Sequence, residues 1–449
     1  MVISIKNKLK SEIKKQKIIF SVFGLGNVGG PIAAVWLRAG AKVIGVDISK
    51  NLLNDIKNGV SHKQEPFVSK EFTNGLKKKL FSLTDDGITA SKNSNIKIII
   101  VPVAIKKGKA DFTALISETK SISKGLKKGD TVIVCPSLPP KTTEEIILPI
   151  LEKGSDLKGE KDFSLIYNPE RIYEGRAIED IEINYPAIVA GLGEKSLKRG
   201  SSLLNLVSKK GVLELSSLAA AEAEKLFEGI YRDVNIALAN ELSEYCEKIG
   251  INYWETKNAS NSQPFCNLHY PGTGVGGLCI PVYPQIVLES ANKIGKKLEI
   301  VSKARKYNDS MPKKCVISSL KLLKNNNKTS KHIKITILGL GFRGDVTDSR
   351  LSPTYDVVKE FLKLKFDVTV HDPYILVDKT LPKNVLLTDN LHLALSNSDL
   401  IFISTDHKIY SKFTNSSFKS VKKPLLIFDG RNILNRTKFK NNEIKTIGI

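Results

Sequence analysis

Apolar residues along this chain follow two rhythms. Short, nearly uninterrupted apolar runs that stop at glycine, proline or an acid read as buried parallel strands, and stretches with apolar residues every three or four positions read as helices. The first run, Lys17 to Phe23, passes into Gly24-Leu25-Gly26-Asn27-Val28-Gly29; a helix is expected from Gly30 to Ala39, and a second strand, Lys42 to Val46, ends on Asp47. Further strands are expected at Lys97–Val101, Thr131–Cys135 and Ser164–Tyr167, each running into a proline-bearing turn. From Ser217 to Ile249 the residues Leu218, Ala221, Lys225, Leu226, Ile230, Val234, Ala237, Leu238 and Leu242 keep helical spacing and predict one long helix. Helical sequence resumes beyond the glycine-rich stretch at 271–281 and continues through Asn308. A Lys/Asn/Ser/Thr-rich stretch, 323–331, reads as a linker. A second strand and glycine loop follow at Ile333–Leu338 and Gly339-Leu340-Gly341-Phe342-Arg343-Gly344, with later strands at Asp367–Val370, Leu400–Ser404 and Leu425–Phe428.

The pattern predicts an α/β protein: two Rossmann-like, doubly wound parallel-sheet domains joined by a long central helix. The expected boundaries are 1–210 for an N-terminal nucleotide-binding domain, 211–322 for a central helical domain and 332–449 for a C-terminal Rossmann-like domain. A length of 449 residues agrees with more than one core. The uncharged run from Ile18 to Leu37 is long enough to suggest a membrane span, but its glycines and Pro31 argue against a continuous spanning helix. Five cysteines without a CxxC or Cys/His cluster argue against a disulfide framework or a metal site, so a reducing, cytoplasmic setting is expected. The net charge of +23 comes from lysines scattered along the chain with no dominant basic block. They read as solvated surface with some attraction for an anionic ligand, and neither nucleic acid nor a membrane is an expected partner.

Strand, glycines, helix, strand and Asp47 together form a dinucleotide fingerprint. The glycines let a pyrophosphate rest on the helix N-terminus, and the acid takes the ribose hydroxyls, which favours NAD over NADP. In the second copy the glycines open onto a polar loop, Asp345 to Arg350, so the pyrophosphate seat is missing and the loop offers arginines to an anionic ligand instead. Asn168-Pro169-Glu170-Arg171 with Glu174 follows a strand; its two carboxylates could act as acid and base, or cap the turn and pair with Arg171 and Arg176. Lys225 lies among apolar positions, either facing an anionic partner or snorkelling to solvent. Pro271-Gly272-Thr273-Gly274-Val275-Gly276-Gly277-Leu278-Cys279-Ile280-Pro281 either presents a thiol to a substrate or is a tight turn before a core cysteine.

With Gly24–Gly29, Asn168-Pro169-Glu170, Glu174-Gly175, Ala223-Glu224-Lys225, the cysteine loop, and Gly339-Leu340-Gly341-Phe342-Arg343 with Asp348, Arg350, Ser352 and Pro353, the chain resembles the UDP-glucose/GDP-mannose dehydrogenase family from about Lys17 onward. The segment Tyr231 to Leu242 is similar to the branch acting on UDP-N-acetylhexosamines, with UDP-N-acetylmannosamine the first expectation. The resemblance implies two successive NAD-dependent oxidations of a UDP-sugar at C6. It assigns the nucleophile to Cys279, oxyanion stabilisation to Lys225, activation of the hydrolytic water to Glu170, and a place nearer cofactor and substrate to Glu174. It adds Ser137 and Arg350 beside NAD, and Arg171, Gly229, Tyr270, Gly274, Gly276, Gly277, Phe342 and Arg343 around the UDP-sugar. Separately from the resemblance, the length of the Ser217–Ile249 helix makes it the expected interface of a homodimer. Two departures matter most: Gly229 stands where the family usually has Asn, four after the lysine, and Tyr283 where it has Asp, four after the cysteine; the turn after Val101 also has Val103-Ala104 where Thr-Pro is common.

Overall fold

The computed structural model describes residues 2–62, 65–106, 109–328, 332–439 and 443–449. The chain divides into two compact units, one up to Glu228 and the other Gly229–Ile449, with the division falling inside the central helix Leu218–Ile249. The first unit contains β1 (Ile19–Phe23), β2 (Lys42–Val46), β3 (Phe81–Thr84), β4 (Ile96–Ile99), a small antiparallel pair β5 (Ala104–Lys106) and β6 (Lys109–Asp111), then β7 (Thr131–Val134), β8 (Ser164–Tyr167), β9 (Ala187–Gly191) and β10 (Val212–Glu214). Its main sheet has the order β10-β9-β8-β7-β4-β1-β2-β3.

Strand order reverses at β1, which is where a doubly wound sheet opens a crevice beyond its carboxyl ends. The expected all-parallel sheet is corrected at one place: β9 runs antiparallel to β8. Its residues, Ala187–Gly191, lie only a few positions after the short helical turns that end at Asn184, and that connection brings the chain back in reverse. The apolar runs of β1, β4, β7 and β8 are buried on both faces, as strands covered by helices must be. Trp36 on the helix Gly29–Arg38 stacks on Phe20 with ring centroids 4.3 Å apart. The basic N-terminal segment forms the helix Val2–Lys14 and buries Leu9 and Ile13. One lysine is far from solvated surface: Lys97 in β4 is fully buried and ion-paired with Asp130, whose neighbourhood also supplies the Ser94 carbonyl to the ammonium.

The second unit holds β11 (Lys334–Leu338), β12 (Asp367–His371), β13 (Leu386–Thr388), β14 (Leu400–Ile403), β15 (Leu426–Asp429) and β16 (Glu443–Thr446), all parallel in the order β13-β12-β11-β14-β15-β16. Helices Tyr283–Lys293 and Glu299–Asn325 precede it. The second of these runs into the expected linker as far as Asn325, and residues 329–331 of that linker lie outside the described residues. Within this unit, Asp233 and Asn240 of the central helix meet Arg305 and Asn308: Asn308 donates to Asp233 Oδ1 at 2.8 Å, and Asn240 donates to Asn308 Oδ1 at 3.0 Å. All four are buried, and the network satisfies most of the polar groups that would otherwise be costly inside helix packing, although Asp233 Oδ2 has no hydrogen-bond partner among the described residues. No helix among the described residues is long and apolar enough to cross a membrane.

Candidate active site

In the first unit, Gly24 has φ +97° and Gly29 starts the helix directly after the loop. A Cβ on Gly29 would lie 1.8 Å from the Gly24 carbonyl oxygen, so the tight entry from strand to helix requires glycine there. Asp47 accepts from Leu25 N at 2.9 Å and from Ser49 N at 2.8 Å, which ties the acid at the end of β2 to the glycine loop. The loop suits a dinucleotide on its own geometry: a Cβ on Gly26 would meet nothing within 4 Å, leaving open space above the backbone. Asp47 keeps accessible surface, and nearby Glu118 holds a buried Oε1 with no hydrogen-bond partner among the described residues. Burial, and secondarily the charge of Asp47, push the Glu118 carboxyl above its ordinary range, leaving an unused polar atom near the acid at the end of β2. Ser137 lies half-buried in the turn after β7.

Sequence reading missed three groups that shape this region. His62 Nε2 meets the Leu25 carbonyl at 2.8 Å and covers Gly30, and its burial holds the ring below its ordinary pKa. Glu65 accepts from Gly175 N at 2.5 Å and Ala177 N at 3.4 Å, so it anchors the turn after Glu174. Glu222, on the first turns of the central helix, accepts from Lys141 N, Thr143 N and Thr143 Oγ1 at 2.5, 2.8 and 2.6 Å, anchoring the segment that follows Ser137. Burial pushes Glu222 up to about 7 against the pull of those bonds. The partners of Glu65 and Glu222 lie 79 to 112 residues away in sequence, and nothing local signals them.

The turn after β8 brings two expected residues together. Lys225 Nζ donates to the Glu170 carbonyl, and the lysine's charge acts on the Glu170 carboxylate. Glu170 retains some accessible surface but is densely surrounded, and that burial raises its pKa despite Lys225 and the Ile172 amide. Arg171 reaches Glu228 at 3.2 Å and Glu224 at 3.8 Å and donates to the Pro186 carbonyl at 2.6 Å. Glu224 is pushed up to about 7 by burial and by the neighbouring Glu228. Glu174 faces the glycine loop instead, accepting from Asn27 Nδ2 at 3.3 Å.

In the second unit Cys279 is exposed; elsewhere in the chain Cys135, Cys246 and Cys315 are buried and Cys266 is half-buried. The glycines of the cysteine loop admit other parts of the chain. A Cβ on Gly274 would meet Pro353 at 2.7 Å, one on Gly276 the Leu351 carbonyl and Phe342 Cβ at 2.7 Å, and one on Gly277 the Phe342 ring at 2.9 Å. Gly277 N donates to the Arg350 carbonyl at 3.0 Å, and Gly272 N to Asn240 Oδ1 at 2.9 Å. Phe342 therefore acts as packing beneath the loop, and Arg350, exposed, folds back on Asp348 with contacts of 2.8 and 3.0 Å from Nε. Arg343 is half-buried on the same loop. Tyr270 is largely exposed, tilted against Trp254 with Lys257 Nζ 4.2 Å above its ring. Gly229 is buried, and the Tyr283 ring lies directly over it.

Three family models cover the chain in succession: the UDP-glucose/GDP-mannose dehydrogenase family NAD-binding domain over residues 16–206, its central domain over 219–310 and its UDP-binding domain over 336–436. A UDP-N-acetyl-D-mannosamine dehydrogenase of Campylobacter jejuni is 34% identical, over 86% of this chain and 95% of its own length. The solved UDP-N-acetylmannosamine dehydrogenase structure from Pyrococcus horikoshii superposes with a TM-score of 0.88 at 30% identity, covering 96% of this chain and 99% of that one. An NDP-N-acetyl-D-galactosaminuronic acid dehydrogenase from Methanosarcina mazei gives 0.83 at 28% identity, covering 98% and 97%. A glycine loop built for NAD and these matches along nearly the whole chain lead to one conclusion: the chain belongs to the UDP-glucose/GDP-mannose dehydrogenase family and is an NAD-dependent nucleotide-sugar dehydrogenase.

Proposed function

We propose that the protein oxidises the C6 hydroxyl of UDP-N-acetylmannosamine to a carboxylate through a covalent intermediate on Cys279. When bound at the first glycine loop, NAD would supply the hydride acceptor for each of the two oxidations, with one proton released in each, so one sugar requires two NAD. The Cys279 thiolate adds to the C6 aldehyde left by the first oxidation, forming a C–S bond and an oxyanion that Lys225 neutralises. The second oxidation converts this thiohemiacetal to a thioester. Glu170 takes a proton from the water that attacks it, and cleavage of the C–S bond returns the thiol and gives the carboxylate; a carboxyl with a raised pKa suits that work near neutral pH. Glu174 and Ser137 serve the cofactor side, with Asp47 on the ribose. Arg350 belongs with them on the cofactor side, and Arg343 meets the nucleotide sugar. The observation that carries the reading is the exposure of Cys279 at the end of a loop fixed by close glycine contacts.

The choice of sugar rests on the names of the relatives above. The Methanosarcina mazei match supplies a rival sugar, an N-acetylgalactosamine derivative. A second reading, a nucleotide-sugar binder with lost turnover, is favoured only by Gly229 and Tyr283. The test is NADH release from a panel of UDP-sugars together with product analysis. Two NADH per UDP-N-acetylmannosamine and a carboxylate product support the proposal, as does about a hundredfold to thousandfold loss of kcat in Lys225→Ala, the order expected for one oxyanion donor. Release of free aldehyde after one NADH, or carboxylate formation by Cys279→Ser, refutes the covalent route. UDP-sugar binding without NADH establishes the second reading. We also propose a homodimer through the central helix, on which Phe227, Tyr231, Leu238, Tyr245 and Ile249 form an exposed apolar stripe at helical spacing. A Leu238→Lys/Tyr245→Lys variant should then sediment as a monomer.

A further inference from the structure

We infer that Tyr283 is a positioning residue that seats the Cys279 turn in a notch made by Gly229, and that the two residues work as one device. The inference rests on Cys279 being the nucleophile. Glycine is the least favourable residue but proline inside a helix, yet Gly229 lies within a 32-residue helix and is buried. Its lack of a side chain has a local cause. A Cβ there would sit 2.3 Å from Tyr283 Cδ2 and 3.2 Å from Cγ and Cε2, so the aromatic ring occupies the volume any side chain at 229 would need. Tyr283 is itself buried and opens the helix Tyr283–Lys293. Its amide donates to the Cys279 carbonyl at 2.9 Å, and the Val282 amide to the same oxygen at 3.1 Å. The backbone that carries the thiol is thus closed onto the residue whose ring fills the notch.

Each member requires the other. With Tyr283 present, residue 229 must be glycine; without the ring, Gly229 leaves a gap against the helix. The part that matters is the ring, because the contact at Gly229 is made by ring carbons. The two departures from the family pattern are therefore one exchange of a polar pair for a ring in a notch, made one helical turn from Lys225 on one segment and one turn from Cys279 on the other.

The test is a double-mutant cycle of Gly229→Ala and Tyr283→Ala with Tyr283→Phe as the conservative control. Iodoacetamide labelling of Cys279 is followed by peptide mass spectrometry from about pH 6 to 9, beside kcat and KM with UDP-N-acetylmannosamine and melting temperature; NAD affinity reports folding. G229A and Y283A should each change the Cys279 labelling rate about tenfold and lower kcat by a similar factor, with NAD affinity kept. The double variant should be no worse than Y283A. G229A should lower the melting temperature of the wild type and raise it in the Y283A background, where only helix propensity remains. Y283F should match the wild type within about twofold. Additive effects of G229A and Y283A, or unchanged labelling in Y283A, overturn the inference. If C279S still forms carboxylate, the nucleophile reading fails alone, because labelling and melting temperature report the coupling without turnover.

Discussion

The two glycine loops have the same spelling and opposite uses. In both, a strand enters glycine at positive φ, +97° at Gly24 and +95° at Gly339, and an acid at the end of the next strand accepts an amide of the loop. In the first, Asp47 spends one oxygen on Leu25 N and the other on Ser49 N and stays accessible, and the space over Gly26 is open. In the second, Asp372 is fully buried and accepts from Leu340, Gly341, Tyr374 and Ile375 amides as well as facing His407 Nε2 at 3.2 Å. A Cβ on Gly341 would find the chain's own carbonyls, those of Arg343, Asp348 and Val346, within 3.6 Å, so the loop folds on itself. The same carboxylate keeps accessible surface in one copy and is an internal strut in the other. A motif of glycines and an acid thus specifies a backbone turn, and the following helix decides whether a pyrophosphate can rest on it.

The sharpest way to break this comparison is to add a methyl group to each loop. Gly29→Ala would place its Cβ 1.8 Å from the Gly24 carbonyl and should weaken NAD binding by about a hundredfold or more in calorimetric titration. Gly344→Ala would meet the Asp406 carbonyl at 2.3 Å and should lower stability with NAD affinity unchanged. Exchanging the acids comes next. Asp372→Asn should destabilise by about 3 kcal/mol in denaturant unfolding, since a buried, fully bonded charge site is lost, with no effect on NAD. Asp47→Asn should do the reverse, weakening NAD about tenfold with little change in stability. Equal effects of both on NAD would erase the distinction.

The smallest expected effect concerns pH. Burial would raise the Asp372 carboxyl, but the His407 contact and the loop amides hold it below the ordinary range. Its contribution is therefore present above the unfolded carboxyl pKa and is lost as pH falls through the lower folded value. Glu222 in the first unit, pushed up to about 7 by burial, has the opposite sign. The folded state holds its proton longer than the unfolded chain, so this contribution is complete at low pH and fades as pH rises from about 4.5 to about 7. Melting temperatures measured across about pH 3–8 should show Asp372→Asn flattening the acid limb and Glu222→Gln flattening the change toward neutrality.

Much of this architecture was legible in the sequence, and the losses have identifiable causes. The first strand–glycine–helix–strand unit, the central helix and β8 stood out because long apolar runs and sustained helical spacing are strong local signals. Short strands such as β3, β9, β10, β13 and β16 did not, because three to five residues at or near a sheet edge carry little periodicity, and the antiparallel turn of β9 has no signature of its own. At the candidate site, the turn at Glu170 and its neighbour Lys225 were visible as residue types in order. His62, Glu65 and Glu222 were not, because their partners are far away in sequence and only the fold brings them together. Gly229 and Tyr283 were conspicuous as separate oddities; that the ring of one requires the bareness of the other is a three-dimensional fact.

The hydrogen bond from Gly272 N to Asn240 Oδ1 has a consequence for solvent exchange. Amides in a glycine-rich loop ordinarily trade their protons with water quickly, but this one is buried and held by a side chain that also bonds Asn308. Deuterium uptake at Gly272 should therefore follow the opening of the packed helices that carry Asn240 and Asn308, marking one end of the cysteine loop as part of the slow-exchanging interior.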